Sequence, residues 1–309
     1  MPFAAGWMAR PSRVQPSLPG DAWAALPAAP WSRRDSRSVR STTIWFENPG
    51  PAPKSVKADT APSLRLRLLF AAVVGLLAAL AVLRGADVGR GFASDFDWVW
   101  FAARAILEGR DPYLLIGPGK EWESSIGFVY PLAAPLAVLP LGWFDVIMAR
   151  VLFVAAPGAL LAFRLTRHHF DTLTLFFSGA FVVSVYLVQW PPLVMCAAVF
   201  PIGGFLLVAK PNLGLVVLAG MDNWRSFAIA VSSAAIIVLV SFAILPTWLT
   251  EWRTALDTAS HFKPYLAVPG GVLLLLAIFR WRRPDARMLM MLALVPQTPG
   301  VAMTLPLLL

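Results

Sequence analysis

Hydrophobic residues along this chain fall into seven long runs that are separated by shorter polar segments. Most of the runs approach the roughly 20 residues that a helix needs to cross the hydrocarbon layer of a bilayer. In chain order they are Leu68–Leu83, Val146–Phe163, Leu173–Val188, Leu193–Leu218, Phe227–Leu245, Leu266–Phe279 and Met288–Leu309. The pattern predicts an all-α, polytopic membrane protein with about seven transmembrane helices, of which the sixth is short.

The longest polar interval after the first run, residues 85–144, contains a helical pattern of its own. Ser94 is a suitable N-cap with Asp97 at the third position, and Gly109 and Pro112 end the pattern. Between these limits apolar residues recur at helical spacing, and three aromatic residues accompany them: Phe96, Val99, Ala103, Ile106 and Leu107, with Trp98, Trp100 and Phe101. This spacing predicts an amphipathic helix that lies along the membrane surface.

The fourth apolar run contains a charged residue followed by a helix breaker. Residues 193–221 are too many for one simple crossing, and Lys210 is followed directly by Pro211. Proline removes a helical hydrogen-bond donor, so we expect the helix to break there. A broken helix is tolerated at membrane depth only where protein or a water-filled cavity supplies partners. Lys210 is therefore either a functional intramembrane charge or a side chain that reaches the lipid headgroups.

Composition agrees with a membrane protein and places most of the net charge in the N-terminal tail. Charged residues are 14% of the 309 and hydrophobic residues 58%. Of the net charge of +9, residues 1–67 contribute six, with 10 Lys/Arg against 4 Asp/Glu. Residues 1–62 are rich in Pro, Ser and Arg and lack apolar periodicity, which predicts a disordered tail before a membrane domain at 63–309. A basic tail alone does not indicate nucleic acid as a partner.

Cysteine and histidine offer little support for metal chemistry. The one cysteine, Cys196, lies inside an apolar run, which excludes an internal disulfide and a cysteine-rich zinc site. His168 and His169 stand beside Arg164 and Arg167, where we expect a pair that faces the headgroups. We expect no metal and no cofactor.

Positive charge predicts the orientation of the helices. Arginines flank one set of membrane ends, which the positive-inside rule assigns to the cytoplasm: Arg65, Arg67, Arg164, Arg167, Arg225, Arg280, Arg282, Arg283 and Arg287. Alternation through seven spans then brings residues 85–144, the corner at Gln189 and Trp190, and the loop 247–265 together on the extracytoplasmic side. We expect a multi-pass protein of the plasma membrane whose site faces outward.

Motifs in the first half of the chain are similar to those of a known enzyme family. They comprise an aspartate after the first span, a helix of A-x-A-x-L-x-G-x-D-P-Y character, a Tyr-Pro pair and later polar corners: Asp95-Phe96, Ala103, Ala105, Leu107, Gly109, Asp111-Pro112-Tyr113, Tyr130-Pro131, Pro135, Leu139-Pro140-Leu141, Gln189-Trp190 and Lys210-Pro211. Over about Leu64 to Leu245 the chain resembles glycosyltransferase family 87, of the membrane-embedded C superfamily. It departs from the pattern at Leu132, where a second proline is usual, and at Leu309, beyond which family members continue; we therefore expect a truncated chain.

The resemblance implies transfer of a sugar, typically mannose, with inversion at the anomeric carbon. The donor is a polyprenyl-phosphate sugar, and the acceptor is a hydroxyl of a lipid or a cell-envelope glycan. In that chemistry Asp95 accepts the proton of the attacking hydroxyl, with Asp97 as the alternative base. On spacing alone, both aspartates are instead caps that satisfy the dipole of the first-loop helix. Lys210 would neutralise the lipid phosphate, which leaves as a stable anion.

Four further residues are candidates for contacts with substrate. Tyr113 and Tyr130 can stack on sugar, although aromatic residues at a membrane interface also act as anchors. Gln189 and Trp190 are expected to face the same side as Asp95. Glu251, near Trp248 and Trp252, is a weaker acid or base that a solvated helix face explains equally well. Two other functions stay open: a transporter or lipid-translocating protein with Lys210 at its substrate site, and an inactive fragment.

Overall fold

The computed structural model describes residues 62–87, 94–167, 170–259 and 263–297. Three predictions fall largely or wholly outside them: the disordered tail, the pair His168 and His169, and the chain end after residue 297. The described residues are mostly helical, as predicted. The α-helices are α1 Leu64–Asp87, α2 Asp95–Leu107, α3 Pro112–Leu115, α4 Ala133–Ala137, α5 Val146–Leu165, α6 Gly179–Tyr186, α7 Pro191–Val199, α8 Phe205–Ala209, α9 Pro211–Gly220, α10 Trp224–Ile244, α11 Trp248–Asp257 and α12 Pro284–Leu294.

Shorter elements connect these helices. Segments of 3-10 helix cover Leu139–Trp143, Asp171–Phe177, Pro201–Gly204, Tyr265–Ala267 and Gly271–Arg280. Two small sheets depart from the all-α prediction: β1 Ile116–Gly117 pairs in parallel with β2 Trp122–Glu123, and β3 Lys263–Pro264 pairs antiparallel with β4 Pro296–Gln297. Each strand has only two residues, so helices determine the fold.

Among the described residues, three helices are long and apolar enough to cross a membrane. They are α1, α5 and α10, and they coincide with the first, second and fifth predicted spans. The pair α6 and α7 meets the same criterion together but is bent by 118° at its break, as in a broken span or a re-entrant loop. The described chain therefore contains three or four candidate crossings, fewer than the seven that the apolar runs predict.

The third and fourth predicted spans differ most from the structure. Residues 171–220 form a series of short segments in place of two continuous helices. The breaks coincide with prolines, which interrupt helical hydrogen bonding: Pro191, Pro201 and Pro211 each begin a new element. The predicted break at Lys210 is confirmed, since α8 ends at Ala209 and α9 begins at Pro211. The last two predicted spans contain the 3-10 segment Gly271–Arg280 and the eleven-residue α12.

Small residues allow the central helices to approach closely. Helix α1 packs along α5, where a Cβ atom added at Gly75 would lie 3.1 Å from the Cβ of Ala159. A Cβ added at Gly204 would lie 2.0 Å from the carbonyl oxygen of Ala230 on α10, well inside contact distance. The backbones can approach this closely because glycine has no side chain to separate them.

The two ends of α5 differ in their charged partners. At its C-terminal end, Arg67 of α1 donates a 2.8 Å hydrogen bond to the carbonyl oxygen of Phe163, and Arg164 stacks over the ring of Phe200. At its N-terminal end, Arg150 binds Asp97 of α2. Arg150 and Arg164 are about 21 Å apart along the helix, at 1.5 Å per residue. Helix α5 thus separates an arginine-rich end from an end that carries aspartates.

The first-loop helix has the predicted bounds but is less exposed than predicted. Helix α2 begins after Ser94 and ends at Leu107, as its pattern indicates. All of its residues are described, and Arg104 alone is exposed. The buried indole N–H of Trp100 donates 3.2 Å hydrogen bonds to the carbonyl oxygens of Leu141 and Phe144. Protein surrounds α2 on nearly all sides, so the predicted position along a membrane surface is not confirmed.

The contact at Gly204 gives a test of the packing. We expect Gly204→Ala to destabilise the protein by about 1–3 kcal/mol, because the new methyl group forces the segment away from α10. The measurement is thermal unfolding of the purified protein in detergent. Gly179→Ala is the matched control, since a Cβ atom at Gly179 meets nothing within 4 Å. Equal unfolding temperatures for the two variants would contradict the close approach.

Candidate functional site

A cavity of about 440 Å³ lies where the first loop, the break between α8 and α9, helix α11 and the end of α12 meet. Its wall is mostly apolar, with a few polar groups. The lining residues are Asp95, Trp98, Ile116, Ser124, Ile126, Gly127, Phe128, Val129, Tyr130, Pro131, Lys210, Pro211, Asn212, Leu215, Trp252, Leu256, Val295 and Pro296. Residues from 85–144 and 247–265, which the predicted topology brings together, thus share one cavity wall.

An ion pair forms the charged part of this wall. The Nζ of Lys210 lies 2.9 Å from Oδ2 of Asp95 and 3.5 Å from the hydroxyl oxygen of Tyr130. Lys210 is the residue between α8 and α9, so the helix break turns its side chain towards the first loop. It is 8% exposed, and its ammonium group binds inside the protein. The alternative in which Lys210 reaches the headgroups is therefore wrong.

The surroundings of Asp95 favour its ionised form. Burial raises the pKa of this carboxyl, but the charge and hydrogen bond of Lys210 and the polar groups of Tyr130 and Gln189 outweigh it and leave the pKa below its ordinary value. The side chain is still 41% exposed, because its carboxylate lines the cavity. Asp95 is thus a carboxylate that is both ionised and accessible from the cavity.

Gln189 and Trp190 lie directly behind the ion pair. The ring of Trp190 stacks on that of Tyr130, with centroids 5.9 Å apart, and Gln189 is near the carboxylate of Asp95. Neither residue lines the cavity. The Oε1 of Gln189 is buried without a hydrogen-bond partner. Gln189 and Trp190 were predicted to contact substrate directly. The geometry does not favour that contact, because Tyr130 and Asp95 lie between them and the cavity.

The backbone that presents Gln189 is strained. Helix α6 ends with Val188 in the left-handed region, at φ 51°. The N–H of Gln189 donates to the carbonyl oxygen of Ser184 at 2.7 Å, and the N–H of Val188 to that of Val185 at 3.1 Å. This pair of bonds is the Schellman cap, in which glycine usually occupies the left-handed position. A valine there costs roughly 1–2 kcal/mol, and the cap directs the chain into the 118° bend before α7.

The two tyrosines have different positions. Tyr130 lines the cavity next to Lys210, whereas Tyr113 is behind it and donates a 2.9 Å hydrogen bond from its hydroxyl to the carbonyl oxygen of Tyr130. Both side chains are buried, at 8% and 5% exposed. An anchoring role at the membrane interface is therefore wrong for both. Tyr113 holds the backbone of Tyr130, and Tyr130 is the one that a substrate can contact.

Asp97, the alternative base, does not reach the cavity. Its carboxylate is 4% exposed and accepts hydrogen bonds from the backbone N–H and the hydroxyl of Ser94, at 2.8 and 3.0 Å. Arg150 adds a bond from Nε at 2.8 Å and a second from Nη2. These partners occupy the carboxylate, so we correct the assignment of Asp97: it holds the start of α2.

Sequence reasoning gave too little weight to two residues of this region. Trp252 lines the cavity, and its indole N–H donates a 2.8 Å hydrogen bond to the carbonyl oxygen of Val129. Its neighbour Glu251 is outside the cavity lining. Partial burial raises the pKa of Glu251, and the nearby carboxylate of Asp111 raises it further.

The second residue, Arg150, was not singled out in the sequence, because an arginine at the start of an apolar helix is ordinary. A pairing partner 53 residues away leaves no local signal.

In the part of the chain that the structure describes, no group of three or more His, Cys, Asp or Glu side chains is placed to hold a metal ion. No protein-family model, curated protein or solved structure matches this chain.

The ion pair can be tested chemically without knowledge of the substrate. A water-soluble carbodiimide condenses a carboxylate with an amine in contact, with loss of water, so we expect an amide between Asp95 and Lys210. The measurement is peptide mass spectrometry of the treated protein. Lys210→Arg is the matched control and should give no product, since it keeps the charge but lacks the amine. A product between Lys210 and Asp97 would contradict the described geometry.

Proposed function

We propose that the chain is a membrane glycosyltransferase that moves a sugar from a polyprenyl-phosphate donor to a hydroxyl acceptor on a lipid or a cell-envelope glycan. The observation that carries the proposal is the accessible Asp95–Lys210 pair on the wall of an otherwise apolar cavity. A lipid phosphate needs the same combination, a cation beside apolar surface. Mannose as the sugar rests on the sequence resemblance alone.

The proposed reaction is one displacement at the anomeric carbon of the donor sugar. The acceptor oxygen forms a bond to that carbon as its proton passes to Asp95. The bond from the carbon to the phosphate oxygen breaks, and the phosphate retains the electron pair. Phosphate is a stable anion, so Lys210 has only to neutralise and hold it, and no acid is required.

Inversion places one demand on the ion pair. The attacking and leaving oxygens must lie on opposite faces of the sugar, whereas Asp95 and Lys210 are 2.9 Å apart. The donor must therefore separate them. Lysine has a flexible four-carbon stem, and its ammonium can exchange the carboxylate for the phosphate. In this proposal loss of the lysine contact raises the pKa of Asp95 when the donor is bound, which makes the carboxylate a better base.

The proposal also includes the finer topology, which is seven crossings with the cavity on the extracytoplasmic side of the plasma membrane. The number of crossings rests on the apolar runs of the sequence alone, whereas the orientation has support from the distribution of charge along α5. Arg67 and Arg164 meet at one end, and the cavity with Asp95 is near the other. Arginine-rich ends face the cytoplasm in most membrane proteins, which would direct the cavity outward.

The transporter alternative has less support from the same geometry. A transporter places its key charges within the spans, near the bilayer midplane. Lys210, between α8 and α9, and Asp95, on α2, both lie outside the candidate spans of the described chain. The other alternative, an inactive fragment, would show no transfer in the activity test below.

The first test is transfer of labelled sugar from polyprenyl-phosphate mannose to acceptors in membranes that contain the chain. We expect Asp95→Asn to reduce transfer by about 10²–10⁴-fold at equal protein level, since the base is lost. Asp257→Asn is the matched control, because Asp257 is exposed on α11 and outside the cavity lining. Undiminished transfer by Asp95→Asn would move the base elsewhere; no transfer by the unmodified chain would reject the proposal.

The pH dependence of transfer tests the contact between Lys210 and the base. The base works ionised, and Lys210 leaves its pKa in the free protein below its ordinary value, so the acid limb of kcat/KM should lie below the usual range of an aspartate carboxyl. Lys210→Gln removes the charge that offsets the burial of Asp95, which raises the pKa of this carboxyl and should shift the acid limb to higher pH. Lys120→Gln is the control, since Lys120 binds the carbonyl oxygen of Tyr113. Identical acid limbs would contradict the proposal.

A further inference from the structure

The ion pair between Arg150 and Asp97 lies beside the proposed base but outside the cavity. We infer that Arg150 is a positioning residue: through Asp97 it fixes the first turn of α2 and with it the carboxylate of Asp95. The inference rests on the proposed function, in which Asp95 is the base. No part of it requires Arg150 or Asp97 to touch a substrate.

The carboxylate of Asp97 is held on both sides. Ser94 binds it from within α2, through its backbone N–H and its hydroxyl. Arg150 binds it from α5 through two nitrogens of one guanidinium, which fixes direction as well as distance. The start of α5 is fixed in turn, because the side chain of Asp145 accepts bonds from the N–H groups of Ile147 and Met148 at 3.0 and 3.1 Å.

Asp95 stands between the two residues that this network holds. It follows Ser94 and precedes Asp97 by two positions, so its Cα cannot move without them. Besides the bond from Asp95 to Lys210, which the donor breaks in the proposed reaction, the other polar anchor of α2 is Trp100, which binds Leu141 and Phe144 and stands five residues after Asp95. That anchor holds the middle of the helix, whereas the Arg150–Asp97 pair holds the end at which the base lies.

Stability alone is a poor explanation for this pair. The side chains are 20% and 4% exposed, and removing two charges from water costs about as much as their attraction returns. Well-packed apolar residues of similar volume often stabilise a protein equally well. Apolar residues do not fix the orientation of the first turn of α2 in the way that a two-nitrogen contact does. An error of about 1 Å in the position of a catalytic group can cost roughly 10²-fold in rate.

The experiment replaces both charges together, so that neither is left unpaired. We expect Arg150→Met/Asp97→Asn, in which the amide oxygen still accepts from Ser94, to lower kcat by at least about 30-fold with the KM for the donor within about threefold. The matched control is Arg287→Met/Asp222→Asn, which removes another ion pair, at the far end of α9 from Lys210. We expect that control to change kcat by less than about threefold. Equal effects of the two double variants on kcat would overturn the inference.

Two further variants distinguish positioning from a structural role. Arg150→Lys keeps the charge but lacks the two-nitrogen contact. We therefore expect it to lower kcat, but by less than the double variant does. Adding Asp95→Asn to the double variant should cost much less than Asp95→Asn costs alone, because a misplaced base contributes little. Full additivity of the two losses would overturn the inference.

Carbodiimide coupling provides a measurement that does not depend on activity. We expect the yield of the Asp95–Lys210 amide to fall at least about fivefold in Arg150→Met/Asp97→Asn and to persist in Arg287→Met/Asp222→Asn, since coupling requires contact. An undiminished yield in the first variant would overturn the inference. If the unmodified chain transfers no sugar, the proposed function fails, and the coupling yields still decide whether Arg150 positions Asp95.

Discussion

An ammonium and a carboxylate share the wall of an otherwise apolar cavity, and each is tolerated there because the other is present. Lys210 is 8% exposed, and a lone lysine so placed would lose its hydration without compensation. Asp95 supplies the opposite charge at 2.9 Å from 115 positions away in the chain. Bringing the two together requires the helix break before Pro211 and the fixed start of α2. Much of the local architecture, from the proline breaks to the Ser94 cap, serves to place these two side chains.

Charge and proline were the most reliable guides in the sequence. Asp95 and Lys210 stood out because each is expensive in an apolar chain, and the structure joins them. Pro211 predicted the break between α8 and α9, and Ser94 with Gly109 predicted the bounds of α2. Such signals are local: a residue type either fits or opposes the backbone around it. Hydropathy was equally sound for α1, α5 and α10, in which an apolar run and a continuous helix coincide.

Helix continuity and pairing over long distances were the parts that the sequence did not determine. The length of an apolar run indicates that its residues can be placed in lipid at low free-energy cost. It does not indicate whether the backbone forms one helix or several, so residues 171–220 were predicted as two spans. The pairing of Arg150 with Asp97, and the bond from Trp252 to the first loop, depend on how the helices pack. No spacing rule connects residues that meet only through tertiary structure. The burial of α2 was missed for the same reason.

The left-handed valine at the end of α6 restricts which residues evolution can place at position 188. Backbone conformation there favours glycine, whose lack of a side chain removes the strain. Packing favours valine, because Val188 is only 5% exposed and belongs to the core. Glycine and valine each satisfy one of these two demands, and larger β-branched residues satisfy neither. Asparagine tolerates the left-handed conformation but would bury a polar side chain in the core. Few substitutions at this position should therefore be neutral, although its side chain never reaches the cavity.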